Sequence, residues 1–115
     1  MMDIESFRMY CLNLRHVEES MPFGEDTLVF KIGGKIFALM SLINCSANLK
    51  CDPDRVEDLR ESHQFILPGY HMNKKHWNTI ILNEVDDNKL LKELIEHSYK
   101  LVFDSLTKSI KASLI

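Results

Sequence analysis

The run Thr27-Leu28-Val29-Phe30-Lys31-Ile32, the pair Gly33-Gly34 and the run Lys35-Ile36-Phe37-Ala38-Leu39-Met40-Ser41-Leu42 restrict the fold more than any other stretch. β-Branched and aromatic residues mark each run as a strand. Two adjacent glycines can both take positive φ, as the primed two-residue turns of hairpins require. The second strand therefore returns antiparallel to the first, and the chain contains an antiparallel sheet.

The flanking segments supply helices and further strands. Asp3 reads as an N-cap, and Ile4, Phe7, Tyr10, Cys11 and Leu14 recur at helical spacing, which predicts a helix over about 3–14. Residues 17–24 read as a short extended piece broken by Pro22 and Gly24. A polar loop at 44–48 runs into a short strand at 47–51. Asp52-Pro53 opens a second helix, with a capping carboxylate followed by a proline whose missing N–H costs nothing there. Val56, Leu59 and His63 form its buried stripe. Strands are predicted at 65–67 and 77–82, and Asp86 or Asp87 caps a last helix. The apolar face of that helix is Leu90, Leu91, Leu94, Ile95, Ser98, Leu101 and Val102, with continuation toward 110 left open. The order α-β-β-β-α-β-β-α predicts one α+β domain over 1–115, an antiparallel sheet with three helices packed on it.

Composition narrows the function classes. Covering a sheet face and three helical stripes uses most of the 45% apolar residues, leaving few to line a deep cavity. There is no run of about 18 apolar residues, so no membrane-spanning helix is expected. Met1-Met2-Asp3-Ile4-Glu5 lacks the basic and apolar regions of a secretion leader, so a cytoplasmic setting is expected. Cys11, Cys45 and Cys51 form no CxxC pair and read as small, mostly buried hydrophobes. The net charge of −3 disfavours an indiscriminate nucleic-acid binder. Yet between 27 and 82 every acid lies within 52–61, and outside that helix the charges are Lys31, Lys35, Lys50, Lys74 and Lys75. On one face these would make a local positive field.

The most distinctive polar stretch is Pro68-Gly69-Tyr70-His71-Met72-Asn73-Lys74-Lys75-His76-Trp77-Asn78, which contains no acid and the only tryptophan. A turn at Pro68-Gly69 delivers cationic, aromatic and amide side chains to the mouth of a strand. With Pro22-Phe23-Gly24-Glu25-Asp26-Thr27-Leu28-Val29-Phe30-Lys31, Gly34-Lys35-Ile36-Phe37-Ala38-Leu39, Leu49-Lys50-Cys51-Asp52-Pro53 and Leu94-Ile95-Glu96-His97-Ser98-Tyr99-Lys100-Leu101-Val102, it resembles the MmcQ/YjbR family of small bacterial proteins. The resemblance runs from about Phe7 to Val102, and the tail at about 104–115 lies outside the family pattern. It implies a fold similar to secretion-chaperone-like and, more loosely, frataxin-like α+β domains. It also implies DNA binding through a "double wing" of β elements.

Each motif has a competing structural reading. Lysines at 31, 35, 50, 74 and 75 suit phosphates, and Asn73, His76 and Trp77, with Tyr70 and His71, suit base edges and faces. The alternative is a structured turn with Trp77 and Tyr70 on the core and a hairpin edge kept soluble by Lys31 and Lys35. His71 and His76 are five apart, and His16, His63 and His97 are scattered, so no metal site and no cofactor is expected. His97 reads as a half-buried helix residue. Cys51 stands before a helix N-terminus, where a thiol can be acidified, but a buried cysteine is the better reading. The acids of the first 26 residues are similar to the acidic ridge of frataxin-like iron binders, and iron is not expected. Glu25-Asp26 is read as capping a turn or pairing with Lys74 or Lys75. The function expected is non-catalytic DNA binding. The alternative is a protein-binding module, chaperone-like or self-associating, that uses the same surface with Trp77 and Tyr70 as anchors.

Overall fold

Gly33 and Gly34 take φ of 58° and 82°, the left-handed conformation the hairpin turn requires. Around that turn the computed structural model describes residues 2–69 and 72–114. The elements are α1 (Ile4–Leu12), β1 (Val17–Ser20), β2 (Thr27–Ile32), β3 (Lys35–Ser41), β4 (Ser46–Lys50), α2 (Pro53–Ser62), β5 (Ile66–Pro68), β6 (Trp77–Ile81), a 3-10 turn (Leu82–Glu84), α3 (Asn88–Ser105) and α4 (Lys108–Ser113). The strands form one sheet in the order β1-β2-β3-β4-β6-β5, with every neighbouring pair antiparallel.

The helix starts follow the sequence. Asp3 accepts the Ser6 N–H at 2.7 Å, Asp52 the Asp54 N–H at 2.9 Å and Asp87 the Leu90 N–H at 3.0 Å. Phe7 and Cys11 of α1, Val56 and Leu59 of α2, and Leu91, Leu94, Ile95 and Val102 of α3 all enter one core with Phe30, Ile32, Phe37, Met40, Leu49 and Ile80 of the sheet. Phe7 meets Phe30 edge-on, with ring centroids 6.3 Å apart.

Two elements depart from the expected order. Residues 17–20 are a paired strand, with Val17 opposite Ile32 and Glu19 opposite Phe30. The charge of Glu19 is met from α1, where Arg8 donates to both its oxygens, at 2.8 and 2.6 Å. The last helix stops at Ser105, because Leu106 is extended (ψ 150°), and Thr107 caps a new helix by accepting the Ile110 N–H at 3.2 Å. There are therefore four α-helices among the described residues, not three. Leu106 and Ile110 turn the tail back onto the hairpin at Gly33.

Register divides the side chains into two faces. Phe30, Ala38, Leu49, Asn78 and Pro68 point toward the helices. The opposite face carries one continuous row across all six strands: Ser20, Val29, Leu39, Asn48, Thr79 and Leu67. Beside it stand Lys31 with Ile36 and Lys50 with Trp77. The buried residues of the helices join the first face; on the second, Val29, Leu39 and Thr79 are buried and Lys31, Ile36, Asn48, Lys50, Leu67 and Trp77 are half-buried.

Candidate functional site

The turn before β6 is held from beneath by Arg60, the residue on α2 one helical turn after Val56. Its Nε donates to Asn78 Oδ1 at 2.7 Å, and its Nη2 donates to the carbonyls of Lys74 and, at 3.2 Å, Trp77. Asn78 is 3% exposed, so this bond satisfies a buried amide oxygen. Asn73 closes the turn from within. Its Oδ1 accepts the Lys75 N–H at 2.9 Å, and its carbonyl accepts the His76 and Trp77 N–H groups, each at 3.0 Å. The His76 carbonyl accepts the Cys51 N–H at 2.7 Å, and the Trp77 carbonyl accepts the Gly69 N–H at 3.1 Å. A Cβ on Gly69 would lie 3.0 Å from both Cβ and the carbonyl oxygen of Trp77, so the Pro68-Gly69 signal marks a close backbone approach.

Antiparallel register gathers the five lysines at one end of the sheet. Lys31 and Lys35 flank the β2–β3 turn, and Lys50 ends β4 directly opposite Trp77, the first residue of β6. Lys74 and Lys75 precede Trp77 and are exposed. The span from β2 to β6 is three strand spacings, about 14 Å. Lys31, Lys50 and Trp77 share the face away from the helices. Trp77 is thus half-buried on the sheet's second face, not in the core. Among the described residues none of these lysines makes an ion pair. Acids are nearby all the same: Glu18 stands across from Lys31, and Asp52 and Asp54 begin α2 at this end.

Other sequence candidates fall elsewhere. Tyr70 and His71 lie outside the described residues. His76 is half-buried, with its carbonyl engaged. Glu25 and Asp26 precede β2 at the far end of the sheet, so they do not pair with Lys74 or Lys75, and the Asp26 carbonyl accepts the Leu42 N–H at 2.8 Å. Burial raises the Cys51 thiol above its ordinary value despite the pull of Arg55, which favours the protonated form. Burial likewise pushes Cys11 up to about 12. His97 is half-buried on α3, and its Nε2 accepts the Asp52 N–H at 3.1 Å. Burial, then the charge of Arg55, lowers its pKa, so the imidazole is held neutral. Among the described residues no three His, Cys, Asp or Glu are grouped to hold a metal ion, and no helix is long and apolar enough to cross a membrane.

Arg60 went unmarked in the sequence, although the signal was present. Four residues after Val56 it shares the buried stripe of an acidic helix, and an arginine in that position needs acceptors.

Known proteins are similar to this chain in sequence and fold. The family model for YjbR matches residues 12–101. The chain is 43% identical over 106 residues to the uncharacterised protein YbdF of Escherichia coli, covering 90% of this chain and 87% of that protein. It is 25% identical over 116 residues to the uncharacterised protein YjbR of Escherichia coli, covering 99% and 98%. A crystal structure of a Deinococcus radiodurans protein with a DUF419 domain superposes with a TM-score of 0.91 at 40% identity, covering 99% of this chain and 88% of that one. A Pseudomonas syringae crystal structure gives a TM-score of 0.76 at 29% identity, covering 88% and 99%.

Proposed function

From the premise that the chain belongs to the YjbR family, and from the gathering of its lysines, we propose that it binds DNA and catalyses no reaction on it. The observation that carries this reading is the register that puts Lys31, Lys50 and Trp77 on the second sheet face, with Lys35, Lys74 and Lys75 at the same end. Lysines there neutralise phosphates, and the Trp77 ring beside Lys50 offers a stacking surface for a base. Arg60 contributes by fixing the 72–76 turn in advance, so little order must be gained on binding. The net charge of −3 repels a polyanion elsewhere and orients the encounter toward this end.

Fluorescence anisotropy of labelled duplex and single-stranded DNA, over a salt series, tests this. Five phosphate contacts predict a slope of log K against log salt of about −4 to −5 for duplex. Lys74→Ala/Lys75→Ala should reduce that slope by about two. Absence of salt-sensitive binding to either DNA at low ionic strength would discard the reading.

A second reading has its own observation. Ile36, Leu67, Trp77 and Ile81 are half-buried on the same sheet face, a partly apolar surface suited to a peptide or a second copy of the chain. Sedimentation that shows a concentration-dependent dimer lost in Trp77→Ala, with no DNA binding, would favour it.

A further inference from the structure

The connection from α1 to β1, the C-terminal half of α3 and the end of α4 border a half-open surface cavity of about 240 Å³, lined by Arg15, His16, Tyr99, Phe103, Lys111 and Leu114. Tyr99 and Phe103 form an aromatic wall, nearly parallel at 10° with centroids 6.3 Å apart. The wall is fixed from both sides. Phe37 meets Tyr99 edge-on at 5.4 Å, and Tyr99 Oη donates to the Arg15 carbonyl at 2.7 Å. That bond anchors a turn in which His16 takes φ 63°, a left-handed conformation that non-glycine residues adopt at a cost and that recurs at ligand sites.

Charge is segregated around this wall. Among the described residues no acid lines the cavity, and neither Arg15 nor Lys111 makes an ion pair. Lys111 Nζ sits 5.3 Å from the Phe103 ring centroid. The acids lie in the groove on the other side of the same rings, and both are engaged: Glu96 accepts the Tyr10 hydroxyl at 2.5 Å, and Asp104 pairs with Lys100 at 3.3 Å. The cavity therefore presents an apolar aromatic wall and two unneutralised cations.

We propose that this cavity binds a small aromatic carboxylate, its ring against Tyr99, Phe103 and Leu114 and its carboxylate against Arg15 and Lys111. Size selects this class. About 150 Å³ suffices for a benzene ring, and sites for larger ligands run to about 300–1,000 Å³. A cavity of 240 Å³ holds one ring and its acid group. The proposal is independent of DNA binding and of the second sheet face.

Amide NMR of the full chain, titrated with benzoate and separately with neutral benzamide, tests it. Benzoate should give saturable shifts at His16, Phe103 and Lys111, and benzamide should bind at least about tenfold more weakly, the loss expected for one charge-assisted hydrogen bond. Lys111→Met and Arg15→Met should each weaken benzoate about tenfold. Lys108→Met, on the same helix but outside the cavity, should leave it unchanged. Both cavity cations lie at the surface, so the variants fold and their other amides report it. No saturable shift, equal binding of benzamide, or equal losses in Lys111→Met and Lys108→Met would each overturn the proposal.

Discussion

The hydroxyl of Ser98 donates to the carbonyl of Phe37 at 2.5 Å and, with the same oxygen, accepts the Lys50 N–H at 2.9 Å. Register shifts between Phe30 and Lys31, so that Phe30 pairs with Ala38 and Lys31 with Ile36, and Phe37 is left as the extra residue of a bulge. Direct pairing of β3 with β4 begins at Ala38, opposite Leu49. One turn of α3 thus completes the next rung of the ladder through a side chain, at the strand end that presents Lys50 and Trp77. Ser98→Ala removes both bonds at a fully buried position. It should cost about 2–3 kcal/mol, read as a lower urea midpoint with unchanged m. A loss under about 0.5 kcal/mol would mean that β3 and β4 close directly without it.

Arg60 supplies the next prediction. Its guanidinium serves three acceptors in two directions, which an ammonium cannot match. Arg60→Lys should destabilise the protein by about 1–2 kcal/mol, and Arg60→Met by about 2–3, because the buried Asn78 oxygen loses its donor. Amide exchange should quicken at His76 and Trp77 before the rest of β6. DNA affinity should fall with the salt slope unchanged, because Arg60 orders the turn without touching phosphate. A reduced slope would instead make Arg60 a contact.

The hairpin, the three carboxylate caps and the buried stripes were legible because each is local: two glycines, an Asp before an apolar period, a period of three to four. β1 was not, since Val17-Glu18-Glu19-Ser20 has little strand propensity and pairs only because β2 offers an edge and Arg8 meets Glu19. The break at Leu106 was equally silent, marked by no glycine or proline, and only Thr107 hints at a new start. The lysines could be counted but not placed. Their meeting depends on β6 inserting between β4 and β5, a long-range pairing that no window of sequence contains.

His97 makes stability depend on pH. Its folded pKa lies below the ordinary 6.5, first through burial and then through Arg55. The unfolded chain therefore holds more protons across that interval, and stability increases with pH there. The stabilisation is complete above about pH 6.5, is lost as pH falls through that value toward the folded pKa, and declines no further below it. His97→Gln keeps an acceptor for the Asp52 N–H and removes the titration. Melting temperatures from about pH 7.5 to about pH 5 should fall less steeply in the variant than in the parent. Parallel curves would show that His97 is not the group responsible.

The two turn glycines separate conformational strain from packing. Gly34 has φ 82°, and a Cβ there would meet nothing within 4 Å, whereas at Gly33, with φ 58°, a Cβ would lie 2.6 Å from Leu106 Cδ1. Gly34→Ala should therefore cost only the left-handed penalty, about 1–2 kcal/mol. Gly33→Ala should cost that and about 1–3 kcal/mol more as Leu106 is displaced. Trimming the obstacle distinguishes the two contributions. In Gly33→Ala/Leu106→Ala the loss should be smaller than the sum of the single losses by about 1–2 kcal/mol, while Gly34→Ala/Leu106→Ala should be additive. Additivity in both pairs would mean that Leu106, at the start of the tail, does not bear on the hairpin. The tail would then be a passive extension, when its contacts make it the clamp that joins the lysine-bearing turn to the aromatic cavity beneath α4.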